Sequence, residues 1–125
     1  MFLLALDLGR TTGYALWAAP DKVAKVGSFK DPDEGYLMLR TLGTPENIVV
    51  EKPIVIRGEL GNEMAGLIAR TESEFGDITY VTAAQWKPHP LIKRIRNTTG
   101  NFNPHEKDAL CIGAWFIHVH LQGQA

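Results

Sequence analysis

The chain has 125 residues, of which 45% are hydrophobic, 22% charged and 9% aromatic, and its formal net charge is −1. That length holds one core and not two, so a single domain is expected, and no apolar run approaches the roughly 20 residues that a membrane span needs. The near balance of 13 Lys and Arg against 14 Asp and Glu points to no nucleic-acid partner in bulk, so any such partner must show in local patterning. The opening apolar run 1–6 ends at Asp7 and lacks the basic start and cleavage site of a signal peptide. The single Cys111 excludes an internal disulfide framework and suits the cytoplasm.

Residues 2–8 read as a buried strand, short and apolar, with Gly9 after it. Gly9-Arg10-Thr11-Thr12-Gly13 is a turn, and 14–18 is a second strand. After the turn Pro20-Asp21-Lys22, residues 23–29 make a third, and the short turns imply an antiparallel meander. Asp31-Pro32-Asp33-Glu34 is a helix start: Asp31 can cap, Pro32 fits the first helical position, and Glu34 stands three residues after the cap. That helix runs to about Leu42 and stops at Gly43. Residues 48–51 are a fourth strand, ended by Pro53. Leu60, Met64, Leu67, Ile68 and Phe75 keep helical spacing up to Gly76, and 78–81 form a fifth strand. Pro88 and Pro90 break any helix that starts at Thr82, so 83–103 has no regular reading. Pro104 opens a last helix over about 105–121, with Ile112, Trp115, Phe116 and Val119 as its apolar stripe.

The order is β-β-β-α-β-α-β-loop-α. Strands four and five are reached through helical crossovers and should run parallel to strand one. A meander followed by two βα units is the layout of the ribonuclease-H-like fold. It is an α/β class with a five-stranded mixed sheet, helices on both faces, and strand four beside strand one.

Asp7 and Glu51 both end buried strands, and under this topology they share one end of the sheet. Two ionised carboxylates so placed repel and lose hydration, and a hard divalent cation, Mg²⁺ or Mn²⁺, is the natural remedy. On the last helix, four residues back from Ile112 is Asp108, and three more back is His105. Both continue the face that should pack on the sheet. Each residue has a plainer reading. Asp7 can bond turn amides, Glu51 can pair with Lys52 or Arg57, Asp108 can favour the helix dipole, and His105 can cap or lie at the surface. The convergence of all four under one topology favours a metal site.

The stretch Ala5-Leu6-Asp7-Leu8-Gly9-Arg10-Thr11-Thr12-Gly13-Tyr14-Ala15 resembles the first motif of RuvC-type Holliday-junction resolvases. Ile48-Val49-Val50-Glu51 resembles their second acidic motif, and His105-Glu106-Lys107-Asp108-Ala109-Leu110-Cys111-Ile112-Gly113 resembles their last. The resemblance implies a two-metal endonuclease, using two Mg²⁺ or Mn²⁺ ions per site, that nicks branched DNA as a homodimer. Asp7, Glu51, His105 and Asp108 would be its catalytic and metal-binding set, with His105 either a ligand or a handler of the water's proton. The short chain is similar to the compact bacteriophage versions. Cellular members often place an aromatic wedge shortly after the second acidic residue, where this chain has Ile54-Val55-Ile56.

Between Gln85 and Pro104 there is no acidic residue, while Lys87, Lys93, Arg94 and Arg96 are basic. These would neutralise phosphates beside the metals, with Arg10 a further candidate at the same end of the sheet. Trp86 is either a base-stacking surface or a core residue. His118 and His120 read as helix C-terminal residues that suit the dipole, not as zinc ligands. Gly61, Ala65 and Ala69 form a row of small residues on the second helix, with Met64 and Leu67 supplying apolar area nearby. The row packs either on the chain's own sheet or at a dimer interface, to which this helix contributes in the resembled family.

Three rivals remain. An actin-like or sugar-kinase ATPase shares the look of the first turn but needs a second domain. A relative acting on RNA is disfavoured by His105 and Asp108. A non-catalytic nucleic-acid-binding module would be expected to have lost an acidic ligand.

Overall fold

The computed structural model describes residues 1–51, 59–98 and 100–122, and gives no side-chain description for 59 and 60. Five strands, β1 (Leu3–Asp7), β2 (Thr12–Ala19), β3 (Lys22–Phe29), β4 (Asn47–Glu51) and β5 (Thr79–Val81), form one sheet in the order β3-β2-β1-β4-β5. The meander β1-β2-β3 is antiparallel, whereas β4 runs parallel to β1, and β5 parallel to β4. Strand four therefore lies beside strand one, as the element order requires. The segment 54–56 and the residues Lys52, Pro53 and Arg57 fall outside the described residues, and so does the side chain of Leu60.

Alternation along the strands sorts the core into two layers. Leu3 and Ala5 of β1, Ala15 and Trp17 of β2, Val49 of β4 and Val81 of β5 face one side. Leu4 and Leu6, Tyr14 and Leu16, and Ile48 and Val50 face the other. The second face is covered by α1 (Pro32–Thr41), through Tyr36 and Leu39, and by α2 (Glu59–Phe75), through Met64, Leu67, Ile68 and Phe75. Helix α1 begins as its sequence implies: Asp31 Oδ1 accepts from Asp33 N–H at 2.9 Å, and Pro32 follows the cap.

The first face carries α5 (Pro104–Phe116), flanked by α3 (Ala83–Trp86) and α4 (Pro90–Thr98). The stretch 83–103, unreadable as one helix, is thus two short ones. The prolines do break the run, but Pro90 then opens α4, where a missing N–H costs nothing. Helix α5 starts at an Asn103 cap whose side chain accepts from Glu106 N–H (2.9 Å), while Glu106 accepts from Asn103 N–H (3.1 Å). The expected stripe holds for Ile112, Trp115 and Phe116, which are buried, but not for Val119, which is exposed. From Ile117 to Gln122 the helix winds as a π-helical turn, which needs more residues per turn and carries Val119 off the stripe. His118 and His120 lie in this turn, and the His120 ring stacks on Phe116 with centroids 5.1 Å apart.

Two glycines let α5 lie tightly on β1 and β2. A Cβ on Gly13 would fall on the backbone carbonyl of His105, and one on Gly113 would fall on the Trp17 ring. Among the described residues no helix is long and apolar enough to cross a membrane.

Candidate active site

The register of the sheet brings the first two carboxylates together. Leu3 pairs with Asn47 and Ala5 with Val49, and the ladder ends at Leu6 and Val50; the same register carried one residue further would set Asp7 level with Glu51. Alternation turns both toward the α5 face, because Ala5 and Val49 belong to that layer. Directly opposite Asp7, on β2, is Gly13, the residue that admits the start of α5. His105 enters there, with Nδ1 at 3.5 Å from Asp7 Oδ2. That is an ion-pair distance and too long for a strong hydrogen bond.

Asp7 is only 13% exposed. Burial pushes its carboxyl up from an ordinary 3.8 to about 6, and the charges of Asp108 and then Glu51 push the same way, with His105 opposing them. The four residues singled out by sequence therefore meet electrostatically at one end of the sheet.

Two of the carboxylates are held by neighbours that the sequence did not single out for that role. Trp86 Nε1–H donates to Glu51 Oε1 at 2.9 Å, and Arg96 Nη2 donates to Asp108 Oδ1. Trp86 is fully buried, so it offers no stacking surface to a base; of its two readings the core one is observed. Lys87 lies over its ring, 5.5 Å from the centroid. Arg96 is spent in part on Asp108 and is not a free phosphate ligand in this arrangement. Lys93 and Arg94 are exposed on α4, whose Ile92 and Ile95 pack inward. A groove of about 430 Å³ beside the site is lined by Lys87, His89, Lys93 and Arg96.

Arg10 lies on the other side of the strand end. Its Nε is 3.2 Å from Glu63 of α2, and both line a groove of about 460 Å³ with Lys30, Pro32 and Arg70. On α2, Ala65 and Ala69 are exposed and Gly61 is half-buried, so the small-residue row does not pack on the chain's own sheet. Met64 and Leu67 are half-buried and do pack on that core. Cys111 is buried, and burial pushes its thiol up to about 11, which favours the thiol over the thiolate.

Two solved structures of RuvC from Thermus thermophilus are similar to this chain over nearly its whole length. One, in complex with a Holliday junction substrate, has a TM-score of 0.71 at 14% identity and covers 96% of both chains. The chain has the RuvC fold. The other RuvC structure has a TM-score of 0.66 at 15% identity, covering 98% of this chain and 97% of that one. The ribonuclease-H-like architecture expected from the element order is therefore the observed one. No known family pattern and no curated protein matches the sequence. The likeness to RuvC is one of topology.

The donor set suits a hard divalent cation in its chemistry: the charges of Asp108 on α5 and Glu51 on β4 raise the hold of Asp7 on its proton, and His105 is beside it. Among the described residues, as arranged, no three His, Cys, Asp or Glu side chains gather closely enough to hold an ion. Asp108 is ion-paired with Arg96 in this arrangement. A cation held by Asp108 would compete with Arg96, whose side chain is 39% exposed.

Proposed function

We propose that this chain is a divalent-metal-dependent endonuclease of branched DNA that resolves four-way junctions by paired nicks as a homodimer. The observation that carries the reading is Asp7, a largely buried carboxylate at the end of the central strand that feels the like charges of Asp108 and Glu51, with His105 at 3.5 Å. The RuvC fold over nearly the whole chain supports it, and so does the Holliday junction bound by one of the similar proteins.

In this reading Asp7, Glu51 and Asp108 hold the cations. Two bound divalent ions would supply an activated water and stabilise the leaving oxygen of the phosphodiester. His105, with Nδ1 turned to Asp7, keeps Nε2 for the proton of the attacking water. Lys93 and Arg94 neutralise the flanking phosphates. Four-way resolution needs two active sites on one substrate, hence a two-fold pair of chains. The exposed row Ala65 and Ala69, with Gly61 at its edge, is the surface on which two α2 helices can approach.

The test is to incubate the protein with labelled four-way, three-way and linear duplex DNA, with Mg²⁺ or Mn²⁺, and map the nicks. Symmetric nicks confined to branched DNA are expected. Asp7→Asn should reduce them to background while leaving junction binding intact, because binding rests on phosphate contacts. Near wild-type cutting by Asp7→Asn would defeat the metal reading. Ala65→Arg should sediment as a monomer and lose paired resolution while keeping its fold. The Arg96–Asp108 pair favours one second reading, a non-catalytic junction binder, which predicts binding without nicks under any metal.

A further inference from the structure

We infer that Trp86 is a positioning residue for Glu51, its indole N–H holding one carboxylate oxygen so that the other is presented to a divalent cation. The inference rests on the metal-dependent reading above. An indole carries a single donor, and a donor taken out of water needs a partner. Trp86 is fully buried, and its N–H reaches Glu51 Oε1 at 2.9 Å. Packing alone does not call for tryptophan here, since phenylalanine would fill most of the space without a polar atom to satisfy. A carboxylate at a strand end can otherwise rotate about its last bond; a hydrogen bond from a ring buried in the core restrains that rotation.

The local construction serves that contact. Glu51 pairs with Val81 at the end of the β4–β5 ladder. Just beyond, Thr82 N–H donates to Gln85 Oε1 at 2.8 Å and Gln85 N–H to the Thr82 carbonyl at 3.0 Å. These two bonds close the turn into α3 and return Trp86 to the end of the neighbouring strand. The contrast with Asp108 is instructive: its partner Arg96 reaches it with a side chain that is 39% exposed, whereas the Trp86 ring is fully buried. Glu51 is thus the member of the set whose direction is fixed before any ion arrives. Partners that orient metal ligands commonly govern ion affinity as strongly as the ligands' own placement.

The experiment uses the full chain and Trp86→Phe. Mn²⁺ binding is measured by calorimetry without DNA, and nicking of a four-way junction is measured against Mn²⁺ concentration. Trp86→Phe should bind Mn²⁺ about tenfold or more weakly. The concentration for half-maximal nicking should rise by the same factor, while the rate at saturating Mn²⁺ falls much less. Equal Mn²⁺ affinity in the folded variant and the wild type overturns the inference and leaves the metal reading standing. A wild type that binds no Mn²⁺ overturns both. If Trp86→Phe does not fold, the wild type decides by nuclear magnetic resonance. Saturating Mg²⁺ should shift the Trp86 indole N–H signal and spare those of Trp17 and Trp115. An unmoved Trp86 signal overturns the inference.

Discussion

The two faces of the sheet are built from the same strands and handle charge in opposite ways. On the α1/α2 face, opposite signs pair at the rim: Arg70 with Asp33 at 2.6 Å and with Glu74 at 3.0 Å, and Arg40 with Glu74 at 3.3 Å. Its buried polar contact is self-contained, since Tyr36 OH meets Thr71 Oγ1, which also donates to the Leu67 carbonyl at 2.7 Å. On the α5 face, Asp7 feels the like charges of Asp108 and Glu51, and among the described residues its partner at ion-pair distance is His105, while Asp108 pairs with Arg96. A face selected for stability alone would set an opposite charge there. The imbalance costs stability in the chain as it stands, and in the proposed reading it is where a cation would bind.

The sharpest way to break this contrast is at Asp7. Its carboxyl is raised to about 6 in the folded chain, against 3.8 for an ordinary aspartate. Its favourable contribution is therefore fully present below pH 3.8 and lost as pH rises through 6, a swing of about 3 kcal/mol. Without metal, Asp7→Asn should match wild type below pH 4 and be more stable by up to about 3 kcal/mol above pH 6, as read by urea unfolding. Saturating Mg²⁺ should close the gap by stabilising only the wild type. A difference that is independent of pH would show that Asp7 is not the strained group.

The two glycines under α5 separate stability from function. Gly13→Ala and Gly113→Ala each force a Cβ into occupied space, on the His105 carbonyl and on the Trp17 ring respectively. Each should cost about 1–3 kcal/mol in chemical denaturation. Only Gly13→Ala should also shift His105 from Asp7, so its nicking at a temperature where both variants are folded should fall well below that of Gly113→Ala. Equal activities would detach His105 from the chemistry.

Smaller effects are expected from surface charge. Replacing Lys93 and Arg94 with Ala should flatten the salt dependence of junction binding by roughly 2 in the log–log slope, about 0.9 for each lost phosphate contact. Arg40→Ala, on the opposite face, should leave that slope unchanged. The same control should barely alter stability, because an exposed Arg loses little when its ion pair is broken. A slope that responds to Arg40 instead would place the DNA on the α1/α2 side.

Local rules were enough for the framework. Strand-length apolar runs, the Asp31 cap before Pro32, the helix stop at Gly43 and the helical crossovers yield the strand order and put Asp7, Glu51, His105 and Asp108 at one end. They work because backbone sterics, capping and period-two alternation act within a few residues. The stretch 83–103 was hidden because its two helices are short and owe their stability to packing on α5. Only the tertiary structure took Trp86 into the core, sent Arg10 to the far side of the strand end, and turned Arg96 onto Asp108. Trp86 meets Glu51 across 35 residues of chain, and Arg96 meets Asp108 across 12. Such pairings are set by how whole layers stack, and no spacing within the sequence encodes them.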